Sequence, residues 1–183
     1  MGDERPFALQ GVNHLALVCR DMARTVEFYR DTLGMPLVKT VELPMDMGQH
    51  FFFDIGNGDC LAFFWFRDAP PPAPGVTAPA ALPGAGDITT AIGSMNHVAF
   101  NVPPDRIDEY VERLRVRGVA CTEVVHHDDS KWGVAREMHP GVFVKSIYFF
   151  DPDGICLEFA AWTRALGPED VRHTPVRALT APT

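Results

Sequence analysis

GVNHLALVCRDMARTVEFYRDTLGM, residues 11–35, returns in altered form as SMNHVAFNVPPDRIDEYVERLRVRGV, residues 94–119. Each copy runs Asn-His, an alternating apolar strand, a polar break, and a helix that ends in glycine. His14 and His97 are 83 positions apart, and the helix-ending Gly34 and Gly118 are 84 apart. A register kept this closely over two segments marks an internal repeat. The first helix is expected to start at Asp21 as N-cap, with Met22, Val26, Tyr29 and Leu33 on one face. The second is expected after Pro103-Pro104, with Ile107, Tyr110, Val111 and Leu114 on one face. A glycine after each helix supplies a left-handed C-terminal turn.

The repeat extends further. FFFDIGNGDCLAFFWF, residues 51–66, matches SIYFFDPDGICLEFAAW, residues 146–162, and both read as strand, tight turn and strand. Aligning CLAF on CLEF sets Ala62 opposite Glu158, 96 positions apart. The surplus of 13 over the His–His offset predicts an insertion within HHDDSKWGVAREMHPG of the second copy. The fold class read from this pattern is α+β, with two tandem βαβββ modules. The expected boundaries are 8–67 for the first module and 94–165 for the second. A Pro/Ala/Gly-rich linker, expected to be extended, fills 68–93, and a polar tail fills 166–183.

Composition narrows the function classes. The 183 residues carry a formal net charge of −8, which argues against nucleic acid or an anionic membrane as partner. The charged start MGDERPFALQG reads as no signal peptide, and no apolar run reaches the length of a membrane span. The four cysteines are widely spaced, which argues against a zinc knuckle, and Cys19, Cys60 and Cys156, inside apolar runs, suggest reduced core residues in a cytoplasmic protein.

One carboxylate sits inside an apolar strand. Side chains alternate along a strand, so Cys156, Glu158 and Ala160 share a face, with Leu157 and Phe159 opposite. His14 shares its face with Ala16 and Val18, and His97 shares its face with Ala99 and Asn101. Each polar group lies among small side chains, as the lining of a cavity would, while the bulky residues suit a core against the helices. Two histidines and one carboxylate make a 2-His-1-carboxylate set, which suits Fe(II) and leaves coordination positions open. A cation there also compensates a buried charge that is otherwise expensive. The alternatives are a hydrogen-bonded core histidine and a Glu158 paired with arginine.

Through NHLALVCRDMARTVEFYRDTLGM, MNHVAFNV and IYFFDPDGICLEF, the chain resembles the vicinal oxygen chelate superfamily. That superfamily includes glyoxalase I, methylmalonyl-CoA epimerase, extradiol dioxygenases and bleomycin-resistance proteins. The resemblance implies paired modules forming a cupped mixed sheet around a divalent metal, which the substrate chelates through neighbouring oxygens. Among the subgroups, the ligands implied for extradiol enzymes fall on His14, His97 and Glu158. Their tyrosine ten residues before the glutamate falls on Tyr148, and a histidine nine before that falls on His139. Tyr148 also suits a structural role common in the superfamily, and His139 also suits a plain loop residue. The counterpart of the extradiol acid–base histidine is missing, and His50 is a possible substitute. His126 and His127 are expected in a solvent-facing loop.

The expectation is therefore an Fe(II)-dependent extradiol-type dioxygenase cleaving a catechol-like ring, with Mn(II), Zn(II), Ni(II) or Co(II) as other possible metals. A small aromatic molecule is the expected substrate and a homodimer the expected assembly, with the modules paired within one chain or across two. His139 or His50 would transfer protons, since imidazole exchanges them near neutral pH. Phe52, Phe64 and Trp65 would line a planar pocket or serve as plain core. A glyoxalase- or epimerase-type lyase or isomerase is the alternative. Ala62, where glyoxalase I usually has a glutamate, speaks against it, and Gln49 or His50 as fourth ligand would restore it. A non-catalytic small-molecule binder is the third class.

Overall fold

The computed structural model describes residues 11–175, so the start of the first module at 8–10 and the end of the tail lie outside the described residues. The first module runs β1 (His14–Cys19), α1 (Met22–Val26), β2 (Leu37–Glu42), β3 (Gly48–Gly56) and β4 (Asp59–Phe66). The second runs β5 (Val98–Asn101), α2 (Ile107–Val116), β6 (Val125–His127), β7 (Val134–Ala135), β8 (Val144–Phe150) and β9 (Cys156–Trp162). The sheets have orders β1-β4-β3-β2 and β5-β9-β8-β6-β7. Leaving out β7, the two orders are the same, which is the expected βαβββ repeat. The two-residue β7 pairs with β6 inside the predicted insertion.

The local signals act as expected. The Asp21 side chain accepts the Arg24 N–H at 3.1 Å and starts α1. The helix continues as a π-helical segment, Glu27–Thr32. There the Leu33 N–H donates to the Phe28 carbonyl at 2.9 Å. Thr25 is buried beside the expected Met22 and Tyr29. Gly34 and Gly118 follow their helices at φ 79° and 76°, the left-handed region that glycine enters freely.

Each helix covers the bulky face of its sheet. Leu61, Phe53 and Phe63 pack with Tyr29 and Met22, while Ile147, Phe149 and Leu157 pack with Ile107, Val111 and Leu114. The buried side chains of both modules form one cluster. The Tyr29 hydroxyl donates to Asp151 Oδ2 at 3.0 Å, and the Arg20 N–H donates to Asp153 Oδ2 at 2.9 Å. The first helix therefore docks on the β8–β9 turn of the second module.

The linker differs from the extended segment expected. Pro74 bridges to Ala78, the Gly75 N–H donates to the Ala78 carbonyl at 2.7 Å, and the Ala91 N–H donates to Val76 at 3.1 Å. With few large side chains to bury, it meets its hydrogen-bonding needs through successive turns. The strands also remain in two separate sheets within the chain, and β1 and β5 each stand at an outer edge.

Candidate metal and substrate site

Glu158 carries the question raised by the sequence. It is 5% exposed in the middle of β9, next to Ala99 of β5 and Tyr148 of β8. The Ser146 hydroxyl donates to its Oε1, and His97 Nε2 lies 2.9 Å from its Oε2. Burial alone raises the Glu158 pKa. The hydrogen bonds from His97 and Ser146, with the nearby His97 and His127 charges, outweigh it and hold the carboxyl below its usual range.

The Asn-His pair of each repeat proves to be a small device. His14 Nδ1 lies 2.8 Å from Asn13 Oδ1, and His97 Nδ1 lies 2.8 Å from Asn96 Oδ1. The Asn96 amide is itself oriented, because its Nδ2 donates to the Ile88 carbonyl at 2.8 Å. In both copies Nδ1 is engaged, which leaves Nε2 as the atom available to a metal, the usual arrangement around a ligating imidazole. The His97–Glu158 separation of 2.9 Å also matches adjacent ligands about 2.1 Å from one six-coordinate ion. These two residues fit a divalent cation. His14 belongs to the other sheet, and among the described residues no group of three His, Cys, Asp or Glu side chains converges on one point. Of the expected triad, the single chain brings together His97 and Glu158 but not His14.

The remaining candidates separate. The Tyr148 hydroxyl lies 3.0 Å from His127 Nε2, and its ring sits edge-on to His97. Tyr148 is 6% exposed, and burial together with the Glu158 charge raises its pKa. His139 is not brought to Tyr148. It lies in the insertion, with Nε2 3.2 Å from Asp128 Oδ2 and Nδ1 accepting the Gly141 N–H at 3.1 Å. The histidine beside Tyr148 is His127, expected in a solvent-facing loop but placed on β6 and half-buried. No sequence pattern set His127 apart, because β6 extends into the stretch read as the insertion. In register, His127 faces Val144 and so shares the Glu158 face.

On the first sheet, His50 faces Phe64 and so shares the His14 face. Its ring stacks on Phe52 at 4.3 Å and meets Phe64 at 3.6 Å between centroids. Its Nε2 is buried with no hydrogen-bond partner among the described residues, and burial, followed by the charge of His14, lowers its pKa. Gln49 points to the helix side, in register with Trp65, and donates to Glu42 Oε1 at 2.8 Å, so it is no ligand beside His14. Trp65 likewise faces the helix side, where its Nε1 donates to the Arg20 carbonyl at 3.1 Å. A cavity of about 620 Å³ lies at the far ends of β1 and β4, against the linker and the Asp153–Ile155 turn, and contains none of these histidines.

The model of the glyoxalase/bleomycin resistance protein/dioxygenase superfamily matches residues 11–159. The chain belongs to that superfamily. Within it, the chain is 30% identical over 118 residues to MhqE of Bacillus subtilis, provisionally named a ring-cleaving dioxygenase. That alignment covers 62% of this chain but 34% of MhqE, so the chain spans about a third of that relative's length. It is 26% identical over 157 residues to the metallothiol transferase FosB of Lysinibacillus sphaericus, covering 86% of each. The fold is shared with a variant of the fosfomycin resistance protein FosX of Listeria monocytogenes, solved with Mn(II) and a dihydroxypropylphosphonic acid. There the TM-score is 0.52 at 19% identity, over 86% of this chain and 95% of FosX. Two of these relatives are described with a metal, FosB as a metallothiol transferase and the FosX variant in complex with Mn(II). Among the described residues no helix is long and apolar enough to cross a membrane.

Proposed function

We propose that the protein is a metal-dependent, extradiol-type ring-cleaving dioxygenase acting on a catechol-like aromatic, with Fe(II) as its metal and Mn(II) acceptable to the same donors. His97 and Glu158 would hold the ion with His14 supplied by a second copy, making the working unit a homodimer in the cytoplasm. Held there, Fe(II) would supply the redox chemistry that couples a catechol-like substrate to dioxygen.

The observation that carries this reading is the composition of the two sheet faces that hold the histidines and Glu158. On the first, register gathers His14, Ala16, Val18, Ala62, Phe64, Phe52 and His50. On the second it gathers Ala99, Glu158, Ala160, Ser146, Tyr148 and His127. Small alanines leave room beside the ligands, and flat rings flank it. A phosphonate of the kind found with FosX calls for cations at its three oxygens. Among the described residues, Lys39 is the one lysine or arginine that register places on the first face, and the second has neither. The lining suits a neutral ring with two hydroxyls. Phe52 and Phe64 bound that ring, and the Tyr148 oxygen hydrogen-bonds a substrate hydroxyl.

One observation favours the glyoxalase- or epimerase-type alternative. The unpartnered His50 Nε2 on the His14 face is a candidate fourth ligand for a redox-silent metal. Protein purified without oxygen separates the two. Stoichiometric iron, with oxygen uptake on adding catechol, is expected. Nickel, cobalt or zinc without oxygen uptake would replace this reading with the alternative, and no bound metal would leave a small-molecule binder.

A further inference from the structure

The insertion between β6 and β8 reaches the site through Gly133. His127 Nδ1 lies 3.3 Å from the Gly133 carbonyl oxygen, while its Nε2 lies 3.0 Å from the Tyr148 hydroxyl. A carbonyl oxygen only accepts, so Nδ1 carries the proton and the neutral ring has its lone pair at Nε2. The Tyr148 hydroxyl is then the donor of that pair.

Gly133 is held in place by the turn that contains it. Its carbonyl also accepts the Asp128 N–H at 3.3 Å, and its own N–H donates to the Ser130 carbonyl at 2.9 Å. The Asp128 carboxylate collects the Ser130 N–H at 3.1 Å and the Ser130 hydroxyl at 2.6 Å, closing the turn. Its other oxygen holds His139 at 3.2 Å.

We propose that this turn is a positioning device that fixes the tautomer of His127 and thereby makes Tyr148 and His127 a one-way proton relay. With its own proton directed to Nε2, the Tyr148 oxygen presents lone pairs rather than a proton to the site. The relay rests on the catechol reading for its substrate, whereas the tautomer does not. A substrate hydroxyl gives its proton to the Tyr148 oxygen as the original Tyr148 proton passes to Nε2. The substrate O–H electron pair stays on the substrate oxygen, Tyr148 remains neutral, and His127 becomes an imidazolium with Nδ1–H on Gly133. Asp128 and Gly133 act through His127, and His127 acts through Tyr148, so all three are positioning residues.

Nitrogen NMR of the 15N-labelled protein, with the His127 ring assigned by loss of its signals in His127→Gln, reads the tautomer directly. The expected spectrum has a protonated Nδ1 and an unprotonated Nε2 in a single tautomer. In Asp128→Ala, with the remaining amide spectrum unchanged, that single-tautomer signature should be lost as Nε2–H becomes populated. A parent protein carrying Nε2–H would overturn the proposal without recourse to any variant. An Asp128→Ala protein that keeps the parent signature would overturn the role of the turn. Failure of catechol to elicit oxygen uptake would refute the dioxygenase reading and leave the tautomer result standing.

Discussion

His97 Nε2 stands 2.9 Å from the buried Glu158 carboxylate, while its repeat counterpart His14 stands exposed in the other sheet with Nδ1 on Asn13. Equivalent positions of the repeat therefore carry unequal structural weight. His97→Ala leaves a buried carboxylate with one compensating partner fewer, at a cost of about 1–3 kcal/mol. His14→Ala removes an exposed ring, with an effect of about 0.5 kcal/mol or less. Urea denaturation of the metal-free variants should show that difference, yet both should lose the metal. A His14→Ala protein that retains metal like the parent would remove His14 from the ligand set.

Asp151 gives a pH signature. It is 6% exposed, and desolvation raises its pKa to about 6, although it accepts the Asp153 and Ile155 N–H groups and the Tyr29 hydroxyl. A carboxyl whose pKa is raised on folding favours the folded state most while protonated. Its contribution is full below the unfolded value near 4 and disappears as pH climbs through about 6. Asp151→Asn keeps an acceptor for both N–H groups and does not ionise. Relative to the parent, it should gain on the order of 2–3 kcal/mol between pH 4 and pH 7. Parallel stability curves for the two proteins would contradict this.

Strand alternation and the repeat made much of this legible in the sequence. Faces set by a period of two placed His14, His97 and Glu158 among small residues, and the structure keeps each on that face. The surplus of 13 positions located the insertion that contains β7. Alternation could not say whether the two sheets join, because an edge strand carries the same pattern whether or not it has a neighbour. Nor could spacing choose between His127 and His139. A nine-residue offset before Tyr148 identifies a partner only along an uninterrupted hairpin, and with the insertion present the side chain that reaches the Tyr148 hydroxyl is His127 of β6. The composition of 68–93 ruled out a core of its own, but turns need only backbone groups and small side chains.

Gly48 opens β3 at φ 154°, and a Cβ there would stand 1.8 Å from the Trp65 carbonyl oxygen. Neither backbone can move without breaking the β3–β4 register that seats His50 and Phe64. Gly48→Ala should cost about 3 kcal/mol or more. Gly84, at φ 82° with open space around it, is the control, and alanine there should cost about 1 kcal/mol. Equal midpoints in urea for the two variants would mean that the close approach at Gly48 relaxes freely.

Where His14 finds its partners can be decided by mixing two inactive variants. If a site takes His14 from one copy and His97 with Glu158 from the other, His14→Ala and Glu158→Ala homodimers each lack every complete site. A heterodimer of the two has one site with both defects and one with neither. Random reassociation of equal amounts makes half the dimers mixed, so roughly a quarter of the parent's metal content should return. Closure within one chain predicts none, since each copy then keeps its own defect. The edge positions of β1 and β5 favour the first outcome, because among the described residues no strand pairs with their outer sides, which suit pairing with another chain. Metal analysis of the unmixed and mixed proteins measures it, and a mixture no richer in metal than its components would place completion of the site within the single chain.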